Sequence, residues 1–161
     1  KDLIVYDIGL EKFSQLSENR HSFDVVCAFQ VLEHIYDVNL FLNSCINLLK
    51  PGGKLIIGVP NNNPYLYKFD LFHTLNLPPH HMGIWNKKSL KRLQEHFPIA
   101  VEKILVEPNV NFEYWLNIQV KKWIRLENIS KFLKRIKLYR VISFFKIATE
   151  GRNLLVVFIK R

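Results

Sequence analysis

Only six glycines and two cysteines occur in 161 residues, and no G-x-G-x-G pattern appears anywhere. A glycine-rich loop lets backbone amides approach a bound ligand where any side chain would block them, so that device is absent from these residues. Two cysteines are too few for a disulfide framework. Both Cys27 and Cys45 lie in apolar segments, which predicts two reduced, buried thiols. No secretory signal and no apolar run of about 20 residues is present, so no spanning helix is expected and the chain reads as cytoplasmic. It begins at Lys1 rather than Met and enters the apolar run KDLIVYDI at once, which reads as a fragment of a longer protein. Acid is scarce over one stretch. Between Lys121 and Lys146, nine Lys or Arg face the single acid Glu127, so this segment carries +8 of the net +9. The remainder is nearly neutral, and the basicity belongs to one element rather than to the fold.

A hydrophobic content of 48% with 23% charged residues fits one globular domain spanning residues 1–161 and excludes disorder. LIVYDI, ended by Asp7 and Gly9, reads as a short buried strand. In GLEKFSQLSENR, Leu10, Phe13 and Leu16 recur at three-residue spacing, the mark of a short amphipathic helix. FDVVCAF is an unbroken β-branched and aromatic run, as expected for a strand buried on both faces of a parallel sheet. VNLFLNSCINLLK places Leu40, Phe41, Ile46, Leu48 and Leu49 on a helical stripe that stops at KPGG. KLIIGVP is a second apolar strand, closed by Pro60 and the turn residues that follow. Strand, helix, Pro-Gly-Gly turn and strand make a βαβ unit, whose strands must run parallel. NKKSLKRLQEHF reads as a helix starting near Asn86 or Ser89. AVEKILVEP and NLLVVFIKR read as two further strands, with a basic helical insertion over residues 110–150 between them.

FQVLEHIYD sets Gln30, Glu33 and His34 where the FDVVCAF strand stops. In open α/β sheets, ligands lie at the carboxyl ends of parallel strands, so this position is either a site rim or an ordinary helix start. LPPHHMGIW carries His80 and His81 in a long aromatic, proline-bearing connection, whose length points to function more than to spacing.

FDVVCAFQVLEHI, LLKPGGKLIIGVPN and LPPHHMGIWNKKSL, in this order and spacing, resemble the class I S-adenosylmethionine-dependent methyltransferases over roughly Leu3 to Phe97. NLLVVFIKR also looks like that family's last antiparallel strand. The resemblance implies an α/β fold: a Rossmann-like methyltransferase sheet, mostly parallel, N-terminally incomplete, with a helical insertion before the last strand. It implies S-adenosylmethionine as cofactor and methyl transfer to oxygen or nitrogen of a small molecule or glycan-type acceptor. By the same resemblance, Asp7, Ile8, Phe29, Gln30 and Leu32 fall at cofactor-binding positions. His34, His80 and His81 become the catalytic candidates, and Glu33, Asn61, Tyr65 and Trp85 the substrate-binding ones.

Each assignment has a structural competitor. Glu33 and His34 either carry the chemistry or cap and solvate the following helix. Adjacent His80 and His81 do not both turn inward easily, so at most one is expected to act as base, substrate contact or ligand. The other reading is a histidine held by a backbone carbonyl. Asn61 either bonds substrate or starts a turn, and Tyr65 and Trp85 wall a pocket or fill a core. Relatives that share VLEH, the small-RNA 2′-O-methyltransferases and the ubiquinone-pathway O-methyltransferases, bind a divalent ion through a glutamate three residues before the Glu-His pair. Gln30 stands there in this chain, and no metal is expected, although Glu33, His34 and a loop histidine would supply three ligands.

The basic segment reads first as a helical lid or a homodimer contact, next as a peripheral membrane-surface element, and least as a nucleic-acid grip. The competing reading of the whole chain is a non-catalytic methyltransferase-like domain that uses this segment for membrane or partner binding.

Overall fold

The computed structural model describes residues 9–62, 78–108 and 150–161. The Asp7, Ile8 and Tyr65 assignments lie outside those residues, as does the insertion up to residue 149; Glu150 already begins a strand. Four strands form one sheet in the order β1-β2-β4-β3: β1 Phe23–Phe29, β2 Leu49–Pro60, β3 Ile99–Pro108 and β4 Glu150–Lys160. β1 and β2 pair in parallel, and β4 runs antiparallel to both β2 and β3. The expected βαβ unit and antiparallel last strand are therefore present.

Helix α1 spans Leu10–Gln15, α2 Val38–Leu48 and α3 Lys87–His96. Asp37 starts α2 by accepting from the Leu40 amide at 2.9 Å, satisfying one of the amides a helix start leaves bare. Leu42, Cys45, Ile46 and Leu49 then recur at helical spacing and are buried, whereas Leu40 of the expected stripe stands exposed. α3 is started by a reciprocal pair: Asn86 Oδ1 accepts from the Ser89 amide, and Ser89 Oγ accepts from the Asn86 amide, each at 2.9 Å. Its Leu90 and Leu93 enter the same core. The sheet meets them with alternate residues in register, Leu55 opposite Phe158, Ile57 opposite Val156 and Val59 opposite Leu154. All six of these side chains are buried, because alternate residues of a strand share one face.

Three expectations need correction. β1 is not buried on both faces: within the described residues it is an edge strand, paired with β2 alone, and Val25 and Phe29 stand 47% and 56% exposed. An apolar run records what a strand tolerates, not which neighbours cover it. For the same reason Cys27 is exposed, while Cys45 on the inner face of α2 is buried. Nor is Pro-Gly-Gly a turn ahead of β2. The strand begins at Leu49, opposite Phe23, and Lys50–Gly53 bulge out before pairing resumes at Val25 and Lys54. Gly52, at φ +74°, supplies the left-handed residue this bulge requires.

The far end of the sheet is locked by Lys160. Its Nζ donates to the carbonyls of Ile46 and Leu49, both at 2.7 Å, and lies 2.9 Å from His21 Nδ1, which also approaches the Leu49 carbonyl at 3.1 Å. Two of the ammonium protons are thereby used on carbonyls at the open end of α2. Desolvation lowers the pKa of this amine.

Candidate functional site

The site assembles at the carboxyl ends of β1 and β2. Gln30 extends the ladder by one bond, its amide donating to the Gly58 carbonyl at 2.8 Å, and then turns with φ +54°. Left-handed backbone at a non-glycine residue costs about 1–3 kcal/mol and is held only where the surroundings impose it. The turn ends β1 abruptly and starts the 3-10 turn Leu32–His34. Leu32 goes fully into the core, so its assignment to cofactor contact finds the side chain facing inward. Phe29 points to the opposite face and lies over Gly58, where an added Cβ would meet its ring at 2.9 Å.

The loop carrying both histidines is stapled across this turn. The amides of Met82 and Gly83 donate to the Glu33 carbonyl at 2.7 and 2.9 Å, and the Asn62 amide donates to the Trp85 carbonyl at 2.9 Å. The two bonds to Glu33 join segments about fifty residues apart in sequence, and His81 comes against His34, ring centroids 4.8 Å apart and edge to face. One ligand atom each from Glu33, His34 and His81 lie within 4.8 Å of one another.

His34 Nδ1 meets the carbonyl oxygen of His80 at 2.6 Å. A carbonyl only accepts, so Nδ1 carries the hydrogen and neutral His34 keeps its lone pair on Nε2. His80 thus takes part through its backbone, while its side chain is on the exposed surface. Glu33 is 1% exposed, and among the described residues neither of its carboxyl oxygens has a hydrogen-bond partner. It does not cap or solvate α2; Asp37 caps that helix. His81 Nδ1 and Trp85 Nε1 are also buried without partners, the indole of Trp85 resting on Gly83.

Two assigned residues sit at the edge of the constellation. Asn61 is buried and tied to β4, its amide donating to the Arg152 carbonyl at 2.6 Å and its Nδ2 to the Gly151 carbonyl at 3.1 Å. Its described bonds therefore hold the strand ends together. Gln30 approaches Asn153 Oδ1 at 3.5 Å, and Asn153 Nδ2 donates to Glu107 at 2.9 Å. Sequence reasoning missed Asn153, Glu107 and the Met82 and Gly83 amides. Backbone donors have no residue signature, and Asn153 reaches Gln30 only through the antiparallel insertion of β4.

The residues fit a cation. One carboxyl and two imidazoles converge, the carboxyl is buried and unpartnered, and one imidazole is oriented through its other nitrogen by a carbonyl.

Parallel strands whose carboxyl ends carry polar residues, with the later loop hydrogen-bonded across them, define a Rossmann-like α/β domain. Residues 2–103 match the family described as "Methyltransferase domain". The chain belongs to that family. It is 31% identical over 81 residues to a ubiquinone biosynthesis O-methyltransferase of Marinobacter nauticus, covering 48% of this chain and 34% of that protein. To the mitochondrial ubiquinone biosynthesis O-methyltransferase of Homo sapiens it is 27% identical over 110 residues, covering 62% and 30%. It spans about a third of the length of these relatives. Among solved structures, a SAM-dependent methyltransferase from Archaeoglobus fulgidus superposes with a TM-score of 0.55 at 17% identity, covering 96% of this chain and 66% of that one, a likeness of fold.

Proposed function

We propose that this chain serves S-adenosylmethionine-dependent O-methyl transfer to a hydroxyl group of a small molecule. The observation that carries the reading is the convergence of Glu33, His34 and His81 at the carboxyl ends of parallel strands in a methyltransferase domain. Oxygen is preferred over nitrogen as acceptor because the relatives above are named as O-methyltransferases.

Methyl transfer from a sulfonium is an in-line displacement. The acceptor oxygen bonds to the methyl carbon while the carbon–sulfur bond breaks, and its electron pair stays on sulfur as a thioether. The protein's contribution is alignment and removal of the acceptor proton. His34 Nε2 presents a fixed lone pair to that hydroxyl, because the His80 carbonyl holds the proton on Nδ1. Gln30, at the left-handed turn that ends β1, is assigned to the cofactor side by the family resemblance alone.

Calorimetry with S-adenosylmethionine and S-adenosylhomocysteine, followed by assay of S-adenosylhomocysteine release with hydroxylated small molecules, tests the reading. Weak cofactor binding, as the missing glycine loop predicts, with acceptor-dependent release is expected. Binding of neither compound together with no release overturns it.

A further inference from the structure

All three helices pack on one face of the sheet. Leu42 of α2 and Leu90 of α3 share a core with Leu55, Val156 and Phe158, and Leu10 of α1 packs against it. Successive residues of a strand point to opposite faces, so the other face carries the residues between these. Register sets them in rows across the strands. One row runs Cys27, Ile56 and Val157, and the next runs Phe29, Gly58 and Leu155, extended onto β3 by Leu105. Among the described residues no helix covers these rows, and Cys27, Phe29, Leu105 and the adjoining Val25 are exposed. Single exposed apolar residues are ordinary, whereas a contiguous apolar patch marks an interaction surface.

We propose that this face is a self-association surface, on which a second copy of the chain seats its own equivalent face to form a two-fold symmetric dimer. The charges favour this occupant. Lys54, at the margin of the patch, is paired with Glu102 at 2.8 Å, which leaves Lys103 on the outer strand as the other charge facing this side. Partners of a different kind are selected by complementary charge, and these rows offer almost none. An uncharged surface is complementary to itself, as a two-fold contact requires. Like-charge repulsion is small as well. Of the net +9, +8 lies between Lys121 and Lys146, and the four strands carry five basic against four acidic side chains. Two sheets pack face to face about 10 Å apart with strands within about 30° of each other. Strands about 4.8 Å apart, rising about 3.3 Å per residue, give a plane on the order of 300 Å² across residues 25–29 and their partners. Even with side-chain relief added, this lies below the ~800 Å² per partner of a standard interface, so the dimer is weak and forms at tens of micromolar. Association through this face does not depend on the methyl-transfer reading, whose Glu33, His34 and His81 gather at the strand ends.

Sedimentation velocity of the full chain, from about 1 to about 300 µM, tests the surface over the range expected for a small interface. A mass of 19.1 kDa is expected at the dilute end, rising toward twice that value at the concentrated end. Val25→Lys combined with Leu105→Lys places two unpaired ammonium groups in the contact and is expected to raise the dissociation constant at least ~10-fold. Leu40→Lys, at an exposed position on α2, is expected to leave the dimer unchanged. Cys27 should react freely with a maleimide in dilute protein and several-fold more slowly at the concentrated end. A single-chain mass throughout overturns the proposal and leaves the face to a different polypeptide. So does a dimer that survives Val25→Lys with Leu105→Lys, one broken by Leu40→Lys, or one in which Cys27 stays equally reactive. If the double variant does not fold, the Cys27 labelling decides alone.

Discussion

His34 and His80 are joined by a 2.6 Å hydrogen bond from the Nδ1 of the first to the backbone carbonyl of the second. The bond fixes a tautomer, and it makes one histidine the orienting partner of the other through an atom that any residue carries. His80→Ala therefore keeps the bond, and its side-chain loss is expected to leave the site's geometry intact.

His34→Ala is expected to lower turnover about 10²–10⁴-fold, the usual range for a lost proton acceptor, with cofactor affinity nearly unchanged. Steady-state kinetics with separate calorimetric titration of cofactor checks this. Equal turnover in the variant removes His34 from the chemistry.

Lys160→Met should destabilise the fold by about 1–3 kcal/mol. It removes one charge-assisted bond from each of the Ile46 and Leu49 carbonyls at the end of α2, which keep only the Leu49 amide and the His21 ring nitrogen beside them. Urea denaturation at neutral pH measures it, and a midpoint within error of the parent's contradicts the lock described here.

Gly151→Ala probes the approach of β3 to β4. A Cβ at residue 151 would lie 2.9 Å from the Glu107 Cβ and closer still to backbone atoms of that residue, which cannot swing aside. A loss of about 1–3 kcal/mol is expected, as for overpacking elsewhere. Because Gly151 also accepts from Asn61 Nδ2, the same variant should loosen the end of β2.

The two thiols should behave oppositely. Cys27 is exposed and should react with a maleimide in the native protein, whereas Cys45 is buried and should react only on unfolding. Burial pushes the Cys45 thiol up to about 12 from 9.0. The unfolded chain therefore loses this proton first. The thiol's contribution to stability is complete below pH 9 and declines as pH rises toward about 12, by up to ~1.4 kcal/mol per pH unit. Cys45→Ala should flatten that alkaline limb of a stability profile.

Local pattern alone determined much of this protein. The apolar stripe of α2, the Asn86 and Ser89 start of α3 and the alternation in β2 and β4 depend on neighbours a few residues away, and the βαβ handedness follows from chain chirality. Gln30, Glu33, His34, His80 and His81 were likewise legible as residues at a strand end and in a long loop. What they do to one another was not. Which histidine turns inward depends on the Met82 and Gly83 amides reaching the Glu33 carbonyl, and the exposure of Cys27 depends on which strands flank β1. Burial, tautomer and convergence are set by contacts between segments far apart in sequence, so only the tertiary structure could decide them.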